Sequence, residues 1–167
     1  MNKPFKTTVK TKLIEAAISY SKLLNKKIII ASDSFKYAES YIIRFFETNF
    51  LHLTGVSTKL QPSVFFDKCF RGLINEKDFS IDDTPSQKGL IRLKMRHLPY
   101  IGSFFDGDLF VQENFEKGLI RCLVATSDGR CTIGFVDAKY NVRPKTILDK
   151  NHLDKNKPII TVTPVID

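Results

Sequence analysis

The chain has no tryptophan, only three cysteines among its 167 residues, and no apolar run approaching the roughly 20 residues that span a bilayer. Cys69, Cys122 and Cys131 are odd in number and lack CxxC spacing, which argues against a disulfide framework and a structural zinc site. They read as reduced packing residues. Acidic residues are also in short supply: 18 Asp and Glu stand against 26 Lys and Arg, a formal net charge of +8. That excess favours a negatively charged partner, nucleic acid ahead of an acidic protein or a membrane surface. Equally missing are GxxxxGK[ST], GxGxxG, HExxH and GxSxG, and any carboxylate or histidine cluster with metal-ligand spacing. Asp82 and Asp83 lack the glycine and spacing of a calcium loop. Neither a metal nor a cofactor is therefore expected. The opening MNKPFKTTVKTK is too polar for a secretory signal, so a cytoplasmic protein with no membrane segment is the expectation.

What the chain does have is 43% hydrophobic content and 14 phenylalanines, enough for one domain over residues 1–167 with a core of Phe, Ile and Leu. Leu13, Ala17, Tyr20 and Leu24 recur at helical spacing, which predicts an amphipathic helix over 11–24. Ile28 to Ile30, bounded by Lys26 and Lys27 and a Ser/Asp cluster, predict a short buried strand. Residues 37–46 fit a helix by spacing and a strand by composition, and a strand is preferred. From Asn49 a short helix carries Phe50 and Leu53 inward and ends at Gly55, leaving His52 in its last turn, where the helix dipole favours a protonated imidazole. Pro62 opens a further helix with Phe65, Phe66, Cys69, Phe70 and Leu73 on one stripe, and the polar, turn-rich residues 74–89 read as a surface loop.

The basic segment GLIRLKMRHLPYIGSFF suits either a strand or a helix broken near Pro99. Either period puts Arg92 and Arg96 on one face, where they grip a phosphate together or form a solvated rim. The carboxy-terminal third reads as strands: DLFVQE, GLIRCLVATS, RCTIGFVD and KPIITVTPVI. Asp128-Gly129 predicts a two-residue hairpin loop with Ser127 opposite Arg130. In that register Cys122, Val124, Thr126, Cys131, Ile133 and Phe135 face the core. The other face carries Arg121, Ser127, Arg130 and Thr132 around the small residues Ala125 and Gly134, where a ligand can approach the backbone. The order of elements predicts an α+β fold: amino-terminal helices and short strands, then an antiparallel four-stranded β-meander.

These residue types suffice for RNA cleavage without a metal, which needs a general base, a proton for the leaving oxygen, and cations or hydroxyls around the phosphorane. The 2′-hydroxyl is then the nucleophile, so DNA is excluded as substrate. The candidate catalytic residues are His52, Thr54, Arg92, Arg96, Arg121 and Thr132, with Ser127, Arg130, Tyr140 and Lys145 as candidate substrate-binding residues. Each has a plainer competing role. A histidine between leucines is more often packed against a carbonyl, His97 fits a surface charge, His152 a solvated loop, and Tyr140 and Lys145 ordinary loop positions.

Four stretches in order, NFLHLTG, FFDKC, KGLIRLKMRHLPYI and TSDGRCTIGFVD, resemble a phage- and mobile-element-associated branch of the barnase, EndoU, colicin and RelE-like nuclease superfamily, from about Ile28 onward. The resemblance implies a small α+β domain with helices before a four-stranded antiparallel sheet, cleaving RNA without metal, and it supports the strand over 37–46. It raises His52 to the favoured catalytic residue. A toxin or anti-phage effector docking an acidic antitoxin or immunity protein is compatible with it. The alternative is a non-catalytic RNA- or protein-binding module with the same basic surface.

Overall fold

The computed structural model describes residues 4–167; Met1 to Lys3, the start of the stretch judged too polar for a signal, lie outside them. The elements in chain order are α1 (Phe5–Ser21), β1 (Ile28–Ala31), β2 (Ser40–Ile43), α2 (Phe50–Thr54), β3 (Ser57–Thr58), α3 (Pro62–Phe70), β4 (Phe79–Ser80), α4 (Pro85–His97), β5 (Leu109–Lys117), β6 (Ile120–Ser127), β7 (Cys131–Ala138), β8 (Asn141–Asp149), β9 (Ile160–Val162) and β10 (Val165–Ile166). The fold is mixed α+β with amino-terminal helices. The chain divides into two compact units. One holds the amino-terminal residues up to Leu24 with Phe46–Gly102, and the other holds Asn25–Phe45 with Ser103–Asp167.

The first unit is helical. Its core is aromatic: Tyr20, Phe50 and Phe65 are fully buried, and Tyr20 meets Phe50 edge-on with ring centroids 5.2 Å apart. The Tyr20 hydroxyl donates to Phe46 O at 2.6 Å, so the buried phenol keeps a partner. Pro62 and Pro85 stand at the first positions of α3 and α4, where a missing N–H costs nothing, and Thr84 Oγ1 accepts from Gln87 N at 3.3 Å to cap α4. Two expectations change here. The residues read as a surface loop contribute β4, which pairs with β3, and the first turn of α4. The apolar stripe of α3 stops at Cys69, because the helix ends at Phe70 and Leu73, beyond it, is left 63% exposed.

The second unit is one sheet of eight strands rather than four, ordered β10-β1-β2-β8-β7-β6-β5-β9 and antiparallel except for β2 with β8. The strand expected over 37–46 is β2, confined to Ser40–Ile43. KPIITVTPVI is the fourth carboxy-terminal strand expected from the sequence. Instead β8 pairs with β7, and the KPIITVTPVI residues split between the two edges as β9 and β10. Pro144 made β8 hard to see, since proline cannot donate to a ladder. A bulge accommodates it: Gly134 pairs with Thr146 and Phe135 with Pro144, leaving Lys145 as the extra residue.

The two edge strands are joined by Thr163 and Pro164 alone. At roughly 3.3–3.6 Å per extended residue, Val162 and Val165 are within about 11 Å of each other. Eight strands laid flat at about 4.8 Å spacing would separate the edges by about 34 Å. The sheet must therefore roll until its edges approach. Glu113 on β5 crosses that seam, accepting Lys36 N at 2.8 Å, Tyr37 N at 3.1 Å and the Tyr41 hydroxyl.

Candidate functional site

In the helical unit, α2 is a five-residue helix, far too short to persist by itself. Buried Phe50 and Leu53 and contacts to α3 and α4 hold it in place. It ends at Gly55, whose φ of +80° is the left-handed cap foreseen in the sequence. His52 lies in the last turn and is exposed, so it is not the packed histidine that its leucine neighbours suggested. Thr54 differs: it is fully buried, donating to Leu51 O at 2.7 Å and accepting from Val56 N at 3.2 Å. Its hydroxyl closes the helix and is not presented to a ligand.

α4 clamps this end of α2. Gln87 Nε2 donates to Gly55 O at 3.1 Å, and a Cβ on Gly55 would lie 3.2 Å from Lys94 Cδ and 3.3 Å from Ile91 Cγ1. Lys94 thus runs its methylenes along the cap three residues beyond His52. It is 8% exposed, and burial pushes its pKa below the usual lysine range. Sequence reasoning missed Lys94, although a signal existed. It stands three residues after Ile91 and four before Leu98, in the apolar stripe of the helix.

The segment carrying Arg92 and Arg96 is helical, and both residues are exposed. They line a groove of about 360 Å³ between α1 and α4, together with Lys12, Phe5 and Tyr100. The Arg92 guanidinium lies 4.7 Å from the centre of the Phe5 ring. Cations beside a half-buried Phe5 and an exposed Tyr100 suit a phosphate backbone with unstacked bases.

In the sheet unit the hairpin differs from expectation. Ser127 pairs with Thr132, not Arg130, because Asp128 Oδ1 accepts both Arg130 N at 2.9 Å and Cys131 N at 3.1 Å and so widens the turn. The two-residue shift keeps Ser127 and Thr132 on one face, but that face is covered. Ser127 and Thr132 are fully buried. Ser127 Oγ donates to Cys131 O at 2.8 Å and accepts from Gly129 N, while Thr132 Oγ1 donates to Lys150 O at 2.8 Å and accepts from His152 N. Residues 150–158 form the cover: Leu153 packs with Phe115, Cys122 and Ala125, and Gln112 exchanges hydrogen bonds with Asp154. The space expected over Gly134 is filled by Cys122, whose Sγ would stand 2.4 Å from a Cβ there. Cys122 therefore joins the Ala125 face and not the Val124 face.

The remaining candidates separate. Lys145, re-aimed by the bulge, donates from Nζ to Arg121 O at 3.3 Å, which brings those two residues together. Arg130 is exposed and held by Asp128 at 2.8 Å. Tyr140 is 85% exposed at the tip between β7 and β8, under the Lys139 ammonium. His152 is partly buried rather than solvated, and burial, with Lys117 second, lowers its pKa. All three cysteines are free and buried, and burial raises each thiol, to about 12 for Cys69 and Cys131. No helix of the described residues is long and apolar enough to cross a membrane.

A family model covers residues 12–163, and its description is phage-Barnase-EndoU-ColicinE5/D-RelE like nuclease 4. The chain belongs to this nuclease family. No curated protein and no solved structure matches it.

Proposed function

We propose that the chain is a metal-independent endoribonuclease in which His52 takes the 2′-hydroxyl proton. The oxygen so freed attacks the adjacent phosphorus, the bond to the 5′-oxygen breaks, that oxygen takes a proton from water as it leaves, and a 2′,3′-cyclic phosphate remains. One observation carries this reading: His52, in a chain of a nuclease family, is exposed on a helix end that α4 clamps at Gly55. Gln87 and Lys94 act as positioning residues for that end, since catalysis needs the base held to a fraction of an ångström. Arg92, Arg96 and Lys12 supply cationic charge for the RNA backbone.

Arg121, Lys145, Arg130 and Tyr140 are read as RNA contacts of the sheet unit, and Thr54, Ser127 and Thr132 as structural. Residues 1–167 then form one functional nuclease domain, with β5 to β8 as its antiparallel meander. A toxin or anti-phage role in the cytoplasm, with an acidic inhibitor as partner, fits the net charge of +8. The test is incubation of matched RNA and DNA strands in excess EDTA. The expected result is cleavage of the RNA alone, with 2′,3′-cyclic phosphate ends. Cut DNA, or activity abolished by EDTA, contradicts it.

A further inference from the structure

The seam of the rolled sheet holds a pocket lined by none of the residues assigned above. It encloses about 250 Å³ and is lined by Ser34, Lys36, Tyr37, Glu113, Asn114, Lys157, Pro158 and Ile160. One wall is the loop between β1 and β2, which is firmly built. Glu113 takes the backbone N–H groups of Lys36 and Tyr37, Ser32 Oγ takes Ser34 N at 3.1 Å, and Phe35 meets Tyr41 edge-on at 5.2 Å. The opposite wall is set by Gln112, which bonds Asp154 O at 2.8 Å and so anchors the segment leading to Lys157 and Pro158.

On this fixed frame Tyr37 is 65% exposed. An aromatic side chain left largely in water on an ordered loop offers a face for stacking at little entropic cost. Lys36 and Lys157 both line this space, two cations against the single carboxylate of Glu113, and neither forms an ion pair among the described residues. Pro158 and Ile160 add an apolar surface, and Ser34 and Asn114 add hydrogen-bonding groups. The volume falls just below the roughly 300–1,000 Å³ of typical ligand pockets, which suits one small planar anion and not a folded partner.

We propose that this pocket binds a nucleotide, its base stacked on Tyr37 and its phosphate held by Lys36 and Lys157. The ligand is either a free mononucleotide or one unit of an RNA strand. Because the pocket shares no residue with the His52 site, it stands whether or not the chain cleaves RNA.

The test is calorimetric titration of the full chain with AMP, CMP, GMP and UMP, and separately with an uncleavable 2′-O-methyl oligonucleotide of about six units. The expected result is saturable binding that Tyr37→Ala weakens tenfold or more and Tyr37→Phe preserves, with Lys36→Ala and Lys157→Ala each weakening it and lowering its salt dependence. Tyr37 is exposed enough for its alanine variant to fold, and circular dichroism checks this. His52→Ala leaves this binding unchanged, which separates the pocket from the proposed catalytic site. Tyr37-dependent binding of mononucleotides identifies a free nucleotide as ligand, and such binding of the oligonucleotide alone identifies a unit of RNA. Absence of saturable binding to either, or binding indifferent to Tyr37 and matched by inorganic phosphate, overturns the proposal.

Discussion

A Cβ on Gly134 would lie 2.4 Å from Cys122 Sγ and 3.3 Å from Thr146 Cγ2, so even alanine must displace a buried thiol. Overpacking of this kind costs about 1–3 kcal/mol. Gly134→Ala is therefore expected to lower the denaturation midpoint, and adding Cys122→Ala to recover most of the loss; an unchanged midpoint in the single variant refutes the close approach. His152 gives a second prediction. Its folded pKa is depressed, by burial first and Lys117 next, so the unfolded chain binds more protons as pH falls below 6.5, its unperturbed value. The stability from the neutral ring is complete above that value and is lost as pH falls through the lower folded pKa. His152→Gln should flatten that part of a stability-pH curve measured by urea titration. At this scale the sequence revealed where His52 stands, in the last turn of a short helix capped by Gly55, because Gly55 and the apolar residues around the histidine carry local signals. It did not reveal that Thr54, Ser127 and Thr132 bond the backbone, because a hydroxyl's partner is fixed by chain that arrives from elsewhere, here Lys150 and His152 for Thr132.

Elements were legible where one period dominates. α1 and α3 follow the 3.6-residue spacing of Leu13, Ala17 and Tyr20 and of Phe65, Phe66 and Cys69, and all six residues are buried. Leu24, expected in the helix over 11–24, lies beyond Ser21, where α1 ends, and α1 begins earlier, at Phe5. β8 was not legible, since Pro144 and the bulged Lys145 break the alternation on which strand reading depends. The edge strands β9 and β10 were read as one, because nothing local to Thr163-Pro164 tells that the sheet has rolled. Closure of the seam leads to a prediction for Glu113. Its carboxylate accepts from two N–H groups and the Tyr41 hydroxyl; burial first, and then the Glu113 hydrogen bond and charge, push the Tyr41 pKa upward. Glu113→Ala removes the acceptor that holds the two exposed amides in place and strands the hydroxyl of buried Tyr41, at about 1–3 kcal/mol for that buried donor. Hydrogen exchange should show faster exchange at the amides of Lys36 and Tyr37 than in the parent, while α1 and α3 stay protected. Uniform protection would show that the latch does not hold the loop.

For the whole molecule, a net charge of +8 makes any nucleic-acid complex sensitive to salt. Each side chain that neutralises a phosphate adds about 0.7 to 0.9 to the slope of log affinity against log salt. Arg92→Ala and Arg96→Ala should each reduce the slope by about one unit at most, since both line the groove with Lys12. A slope unaltered by both replacements together would remove the groove from the RNA path. Charge was the easiest global property to read in advance, whereas the division into a helical unit and a rolled eight-stranded sheet depends on pairings between distant segments.

The measurement that bears most directly on the central claim compares the parent with His52→Ala on a mixed tRNA and messenger RNA pool in excess EDTA. His52 is exposed, so the variant should fold, and circular dichroism confirms that before the assay. Fragments ending in 2′,3′-cyclic phosphate from the parent, reduced by orders of magnitude in the variant while RNA affinity holds, are the expected result. Equal cleavage by both proteins, or intact RNA in both with salt-sensitive binding retained, would contradict it. The second outcome would leave a basic RNA-binding module.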